Sequence, residues 1–167
     1  MNFLEKFRKI HTFIFDLDGV LCPGRWWVDG SGEPQRSLLV RDLFALRQAV
    51  EAGYRIAVFS EYHLGPIKSQ LQHLGIEDLY AAFPEKLDAF RQFSEKYELD
   101  PVGILYMGDD LPDYEPMRRV ELPACPHDAI PEILQLSQYV SPLGGGEGCV
   151  RDVVEKVMRI QRKWPVL

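Results

Sequence analysis

Seven polar residues lie at or after the ends of short apolar runs and are of the types that phosphoryl chemistry uses. Asp16 and Asp18 close the run His11 to Asp16 in the pattern FDLDGV, and Ser60 closes Arg55 to Ser60. Lys86 follows the segment Leu79 to Ala82, and Gly108-Asp109-Asp110, with Asp113 three residues on, follows Gly103 to Met107. If these runs are parallel strands, their carboxyl ends share one rim, and the rim collects carboxylates, a hydroxyl and an ammonium. Four carboxylates brought together repel unless a cation neutralises them. An all-oxygen donor set without nearby His or Cys favours Mg²⁺. Lys86 and the Ser60 hydroxyl are then placed to hold phosphate oxygens around a positioned nucleophile, the set that phosphoryl transfer requires.

Taken singly these signals are weak. A strand-end Asp pair is often a turn and helix cap, a serine after a strand is often an N-cap, and a lone lysine usually lies on a solvated helix face. Asp113, just after Pro112, reads equally well as a helix-start residue. Their order along the chain makes them a constellation.

The elements that must position them follow from hydrophobic pattern. The three apolar runs read as buried parallel strands. Between them Leu43, Leu46 and Val50 precede Gly53, and Ile67, Leu71 and Leu74 precede Gly75, which is helical spacing with a glycine stop. Further helices are predicted over Glu85 to Tyr97, after Leu111, and from Gly148 to Trp164. Such alternation predicts an α/β fold: a single Rossmann-like open parallel sheet with helices on both faces, spanning 1–167. The break at about 25–40, where Trp26, Trp27 and Val28 precede Asp29-Gly30-Ser31-Gly32, predicts a β-hairpin inserted after the first strand. The Gly-rich segment 143–149, with Gly144-Gly145-Gly146, is expected to be a mobile or ligand-facing loop.

Composition excludes other classes. The 167 residues are 46% hydrophobic and 26% charged, enough for one sizeable core. No apolar run approaches the ~20 residues of a membrane span, and Met1 to Ile10 lacks the apolar stretch of a signal peptide, so a cytoplasmic protein is expected. Nineteen Lys plus Arg against 25 Asp plus Glu leave a net charge of −6, which argues against a nucleic-acid surface. Cys22, Cys125 and Cys149 are too irregularly spaced for a disulfide framework or zinc site and read as buried thiols; the four histidines show no ligand spacing.

Asp16-x-Asp18-Gly19-Val20, Ser60, Lys86 and Gly108-Asp109-Asp110-x-x-Asp113 together resemble the four motifs of the haloacid dehalogenase-like phosphohydrolases, in order. The resemblance implies that Asp16 is the nucleophile and that Asp18 is general acid and then general base. It further implies that Mg²⁺ is bound by Asp16, the Asp18 carbonyl and Asp109, with Asp110 and Asp113 as supporting groups. Only 41 positions separate Asp18 from Ser60, which leaves no room for a cap domain. The patterns DLDGVLCPG, LLVRD, EKLDAF, MGDDLPDYEPM and GGGEGCVRDV, spread over Phe13 to Val157, are similar to the capless 3-deoxy-D-manno-octulosonate 8-phosphate phosphatases. That family implies a phosphorylated sugar-acid substrate, a role in lipopolysaccharide biosynthesis, and a homotetramer built by the hairpins, with the Gly-rich segment approaching a neighbouring site. Trp26 and Trp27 are then interface or pocket residues.

Two loops depart from the family. Where relatives carry Gly-Arg after the second strand this chain has Glu61-Tyr62, and the first loop reads Leu21-Cys22-Pro23-Gly24. Substrate contacts are therefore assigned to Ser60, Glu61, Lys86 and Arg41, with Arg25, Lys68 and Arg151 as further candidates for the missing cation. Glu61 favours a hydroxyl-rich or less anionic substrate. A capless phosphatase for a nonulosonate 9-phosphate or another phosphorylated metabolite is the alternative reading. A phospho-acceptor signalling domain presents its acidic residues in another order. A catalytically silent scaffold has no need of the charge cluster.

Overall fold

The structure, a computed structural model, describes residues 3–165; Met1, Asn2, Val166 and Leu167, the ends of the expected 1–167 domain, lie outside the described residues. Six strands form one parallel sheet in the order β5-β4-β1-β6-β7-β8. They are β1 (Thr12–Asp16), β4 (Arg55–Phe59), β5 (Asp78–Tyr80), β6 (Ile104–Met107), β7 (Leu122–Pro126) and β8 (Tyr139–Ser141). The three expected runs form the centre of the sheet, with β1 between β4 and β6 in the registers Phe15↔Val58 and Phe15↔Met107.

The pleat sorts side chains into two apolar layers. Phe13 and Phe15 of β1, Ile56 and Val58 of β4, and Leu105 and Met107 of β6 pack toward α2 (Val40–Glu51), α3 (Ile67–His73) and α7 (Cys149–Ile160). The alternate residues Ile14, Ala57, Phe59, Ile104 and Tyr106 pack toward α4 (Lys86–Tyr97), α5 (Leu111–Met117) and α6 (Pro131–Leu136). The α/β class with helices on both faces is thus as the sequence predicts. A short helix, α1 (Phe3–Phe7), precedes β1.

The expected hairpin is a two-stranded antiparallel ribbon of β2 (Trp27–Val28) and β3 (Pro34–Gln35). Among the described residues only this ribbon and α2 separate β1 from β4, and no second layer of structure caps the sheet end.

The Gly144-Gly145-Gly146 run departs from the expectation of a mobile or ligand-facing loop. It is packed against the loop after β1: Gly146 N–H donates to the Val20 carbonyl at 2.8 Å, and a Cβ on Gly145 would lie 2.0 Å from the Gly19 carbonyl oxygen. Composition cannot distinguish a flexible glycine run from one selected for close backbone approach, and here the second applies.

Candidate active site

The strand order reverses around β1. The chain leaves β1 toward β4 and β5, then returns to the other side of β1 as β6 and continues to β7. The carboxyl ends of β1 and β6 therefore diverge into a crevice. A cleft of about 390 Å³ lies there, lined by Asp16, Asp18, Gly24, Trp26, Ser60, Glu61, Tyr62, Lys86, Asp109, Asp110 and Pro112.

Asp16 is the last residue of β1 and has the parity of Ile14, so it faces the layer of α4 and α5. Lys86 opens α4 and Asp113 lies in the first turn of α5, and the three side chains meet. The Lys86 ammonium sits 2.6 Å from Asp16 Oδ1 and 2.8 Å from Asp113 Oδ1, with its side chain only 3% exposed. Burial alone would lower the Lys86 pKa, but Asp113 and Asp16 outweigh it and hold the ammonium charged. Leu17 N–H also donates to Asp16 Oδ1 at 2.7 Å, which fixes that carboxylate's orientation.

Asp113 is saturated. Its Oδ1 accepts from Lys86 and from the Tyr106 hydroxyl, each at 2.8 Å, and its Oδ2 accepts from the Asp109 N–H at 3.1 Å. It also closes a reciprocal capping box with Asp110, whose carboxylate accepts from Leu111 N–H at 2.7 Å and N-caps α5. Asp113 is therefore both a helix-start residue and the hub that orients Lys86. Tyr106, a strand residue that pattern assigns to the core, is one contact that sequence reasoning missed; its parity with Asp16 on the neighbouring strand is the signal.

Asp16, Asp109 and Asp113 each offer an oxygen within 4.8 Å of the others. Because Asp113 is fully engaged, Asp16 and Asp109 are the side chains left to face a cation. Asp109 Oδ1 is buried with no hydrogen-bond partner, an acceptor that a cation would satisfy. Burial, the Asp113 charge and Asp109 push the Asp16 carboxyl well above its ordinary value despite Lys86, and burial above all pushes Asp109 up to about 6. This cluster of hard oxygen donors fits Mg²⁺. Gly19 shapes it: with φ +101°, it lies so close to Asp109 that a Cβ would stand 2.0 Å from Oδ2.

Ser60, buried at the end of β4, accepts from Tyr62 N–H through Oγ at 3.1 Å, which forms the turn beside the cleft. Glu61 faces the cleft, and burial raises its carboxyl above the ordinary range. Arg41 is not brought to this cleft. It lies on a second cavity of about 580 Å³ with Leu39, Leu143, Glu147 and Arg151, because the first turn of α2 points to the start of α7. Lys86 is the only cationic side chain among the described residues lining the first cleft. Cys22, Cys125 and Cys149 are buried free thiols; burial first, then the Asp18 charge, pushes Cys22 up to about 12, which makes it a poor nucleophile.

Arg36, which the sequence does not single out, reaches Asp18. Its Nε and one terminal nitrogen donate to Asp18 Oδ1 and Oδ2 at 2.6 and 3.0 Å, and the Trp26 indole N–H donates to Oδ1 at 2.8 Å.

No family model matches the chain. It is 32% identical over 160 residues to the 3-deoxy-D-manno-octulosonate 8-phosphate phosphatase KdsC of Escherichia coli K12, covering 96% of this chain and 85% of that one. Among solved structures, a putative 3-deoxy-D-manno-octulosonate 8-phosphate phosphatase from Vibrio cholerae superposes with a TM-score of 0.92 at 29% identity, over 98% of this chain and 92% of that chain. The cobalt-bound form of the deoxy-D-mannose-octulosonate 8-phosphate phosphatase from Haemophilus influenzae gives 0.89 at 25% identity, over 94% and 92%.

Proposed function

The chain belongs to the 3-deoxy-D-manno-octulosonate 8-phosphate phosphatase family of haloacid dehalogenase-like hydrolases, and from that premise we propose how its residues carry out the reaction. It is a Mg²⁺-dependent phosphatase of 3-deoxy-D-manno-octulosonate 8-phosphate, a phosphorylated sugar acid. The observation that carries this is the buried cluster of Asp16, Asp109, Asp113 and Lys86 at the reversal of strand order.

Asp16 is the nucleophile. One carboxylate oxygen attacks phosphorus, the bond from phosphorus to the sugar oxygen breaks, and Asp18 gives that oxygen its proton. Asp18, now a carboxylate, takes a proton from water, which attacks phosphorus and releases Asp16 and inorganic phosphate. Lys86 orients Asp16 and, with the Ser60 hydroxyl, meets the phosphoryl oxygens; Asp113, with Tyr106 behind it, keeps Lys86 in place. Asp16, the Asp18 carbonyl and Asp109 would hold Mg²⁺, with Asp110 and Asp113 supporting from outside. When bound, the ion supplies the positive charge that lets an anionic nucleophile approach an anionic ester.

Glu61 in the cleft favours a second reading in which the substrate is more hydroxyl-rich or less anionic than the octulosonate ester, since a carboxylate there accepts from hydroxyls and repels a substrate acid group. Such a substrate is either a nonulosonate 9-phosphate, by its longer polyol chain, or a phosphorylated metabolite without an acid group. The homotetramer of the family reading is supported by the hairpin, where Trp27 is 79% and Val28 69% exposed. Among the described residues no helix is long and apolar enough to cross a membrane. A cytoplasmic location and the lack of a nucleic-acid partner are part of the proposal, the second supported by the net charge of −6.

The test is phosphate release with and without Mg²⁺ from octulosonate 8-phosphate, nonulosonate 9-phosphates, simple sugar phosphates and nucleotides. Asp16→Asn should retain the fold and lose at least ~10³-fold in kcat. Preference for the octulosonate ester supports the first reading and preference for a nonulosonate the second; turnover by purified Asp16→Asn removes the assigned nucleophile.

A further inference from the structure

The hairpin does more than extend from the sheet, because both of its feet end on Asp18. Trp26 immediately precedes β2 and Arg36 immediately follows β3, and these two residues supply the three donors to the Asp18 carboxylate. Arg36 is itself locked. Its side chain is 3% exposed, its remaining terminal nitrogen donates to the His63 carbonyl at 3.0 Å, and its guanidinium carbon lies 5.1 Å from the Trp26 ring centroid. Trp26 in turn packs edge-on against Tyr62 at 4.6 Å. Trp26 lines the cleft and Arg36 does not, so Arg36 reaches the cleft only through Asp18.

We propose that Arg36 is a positioning residue for Asp18: its planar two-point hydrogen bond sets the rotation of the carboxylate that exchanges a proton with the leaving oxygen. A proton donor acts only within hydrogen-bond reach of the atom it serves. A carboxylate on a loop after a strand turns freely about χ1 and χ2 unless held, and a guanidinium fork holds both oxygens in one plane where an ammonium holds one. The inserted hairpin thereby becomes part of the catalytic equipment of a fold that has no cap to orient this side chain. The proposal rests on the reading of Asp18 as the acid–base group, and the experiment separates the two.

The experiment compares kcat/KM, which reports the steps through departure of the leaving group, for an alkyl ester such as octulosonate 8-phosphate and for p-nitrophenyl phosphate, whose phenolate leaves without a proton. Asp18→Asn is the reference: it should lose about 10²-fold or more on the alkyl ester and much less on the nitrophenyl ester. Arg36→Ala should show the same selective loss, at least about 10-fold on the alkyl ester and within about 3-fold on the nitrophenyl ester, with Arg36→Lys recovering part of it. Combining Arg36→Ala with Asp18→Asn should add no further loss, because both act through one group. Equal loss on both substrates, or no loss on either, with Asp18→Asn still selective, overturns the positioning role. Asp18→Asn without selectivity overturns the acid–base reading beneath it. Thermal unfolding of each variant separates misfolding from misplacement, and Arg36→Lys carries the comparison if Arg36→Ala is unfolded.

Discussion

Replacing Lys86 by Met would keep most of the side-chain volume and remove the charge that bridges Asp16 and Asp113. At 2.6 and 2.8 Å from two carboxylates and 3% exposed, this ammonium is a buried ion pair shared by two partners. Removing one partner of such a pair leaves uncompensated buried charge and costs about 3–5 kcal/mol. Asp113 keeps two other donors, Tyr106 and the Asp109 N–H, which places the expected cost toward the lower part of that range. For a chain of this size each kcal/mol moves Tm by about 2–4 °C, so without divalent metal at pH 8 the variant should melt roughly 6–15 °C below the parent. The gap should narrow at pH 5, where a raised Asp16 can take up a proton. Activity should fall about 10²- to 10³-fold, the usual loss of one fixed charge at a phosphoryl site. Circular-dichroism melts at the two pH values, with EDTA and with Mg²⁺, read the first effect, and phosphate release reads the second. A variant melting within about 2 °C of the parent at pH 8 in EDTA would refute the claim that Lys86 neutralises the cluster.

Two further outcomes follow from buried groups behind the site. Asp42 of α2 accepts from Arg151 N–H at the start of α7 at 2.8 Å, its Oδ2 has no partner, and burial pushes it up to about 6 from 3.8. Its folded pKa is raised above the unfolded one, so the folded form favours the protonated acid and stability falls as pH rises from about 4 through 6, by up to about 3 kcal/mol for a shift near two units. Asp42→Asn removes that fall; denaturant unfolding of parent and variant at pH 4 and 7.5 should show their difference changing by that amount, and a constant difference contradicts it. Gly145→Ala drives a Cβ into the Gly19 carbonyl, and Gly19 itself abuts Asp109, so both stability, by about 1–3 kcal/mol, and turnover should drop. Gly30→Ala, with nothing within 4 Å, should change neither, and an unaffected Gly145→Ala would show that the loop yields.

The centre of this fold was legible because its strands are apolar on both faces. His11 to Asp16, Arg55 to Ser60 and Gly103 to Met107 match β1, β4 and β6 to within a residue or so. Since the ligand crevice of such a sheet opens at strand ends, the polar residues after those strands were legible with them. The outer half was not. β7 is LPACP, and Pro123 lies in a strand paired on both sides, opposite Tyr106 in β6. Proline argues against a central strand because it cannot donate to the ladder, and here burial in the layer under α5 and α6 overrides that preference. β8 has three residues and α6 six, too short for a period to register. Arg36 carries no sequence signal at all: its role depends on the ribbon folding back over Asp18, a contact 18 positions away along the chain.

The same distinction explains which site residues need each other. Asp16 and Ser60 lie at strand ends, where a strand buried on both sides sets the direction of the side chain, and Lys86 and the Leu17 N–H then fix the Asp16 carboxylate. Asp109 lies two residues past β6 and is held through its N–H by Asp113. Lys86 and Asp113 come from helix starts and hold each other, with Asp16 as the second partner of Lys86 and Tyr106 behind Asp113. Asp18 lies beyond the strand and before the ribbon, so neither element fixes it, and three donors from the ribbon's feet hold it instead. The group required to move a proton between two partners is thus the one whose position is set by the least regular part of the chain. Changes in the hairpin should therefore alter proton transfer before they alter phosphate binding, which Lys86 and Ser60 serve from the sheet side. A hairpin variant such as Trp26→Phe, which deletes one donor and keeps the ring, should leave KM for phosphate esters within about 2-fold while lowering kcat on alkyl esters; a rise in KM with kcat unchanged would place Trp26 on the substrate rather than on Asp18.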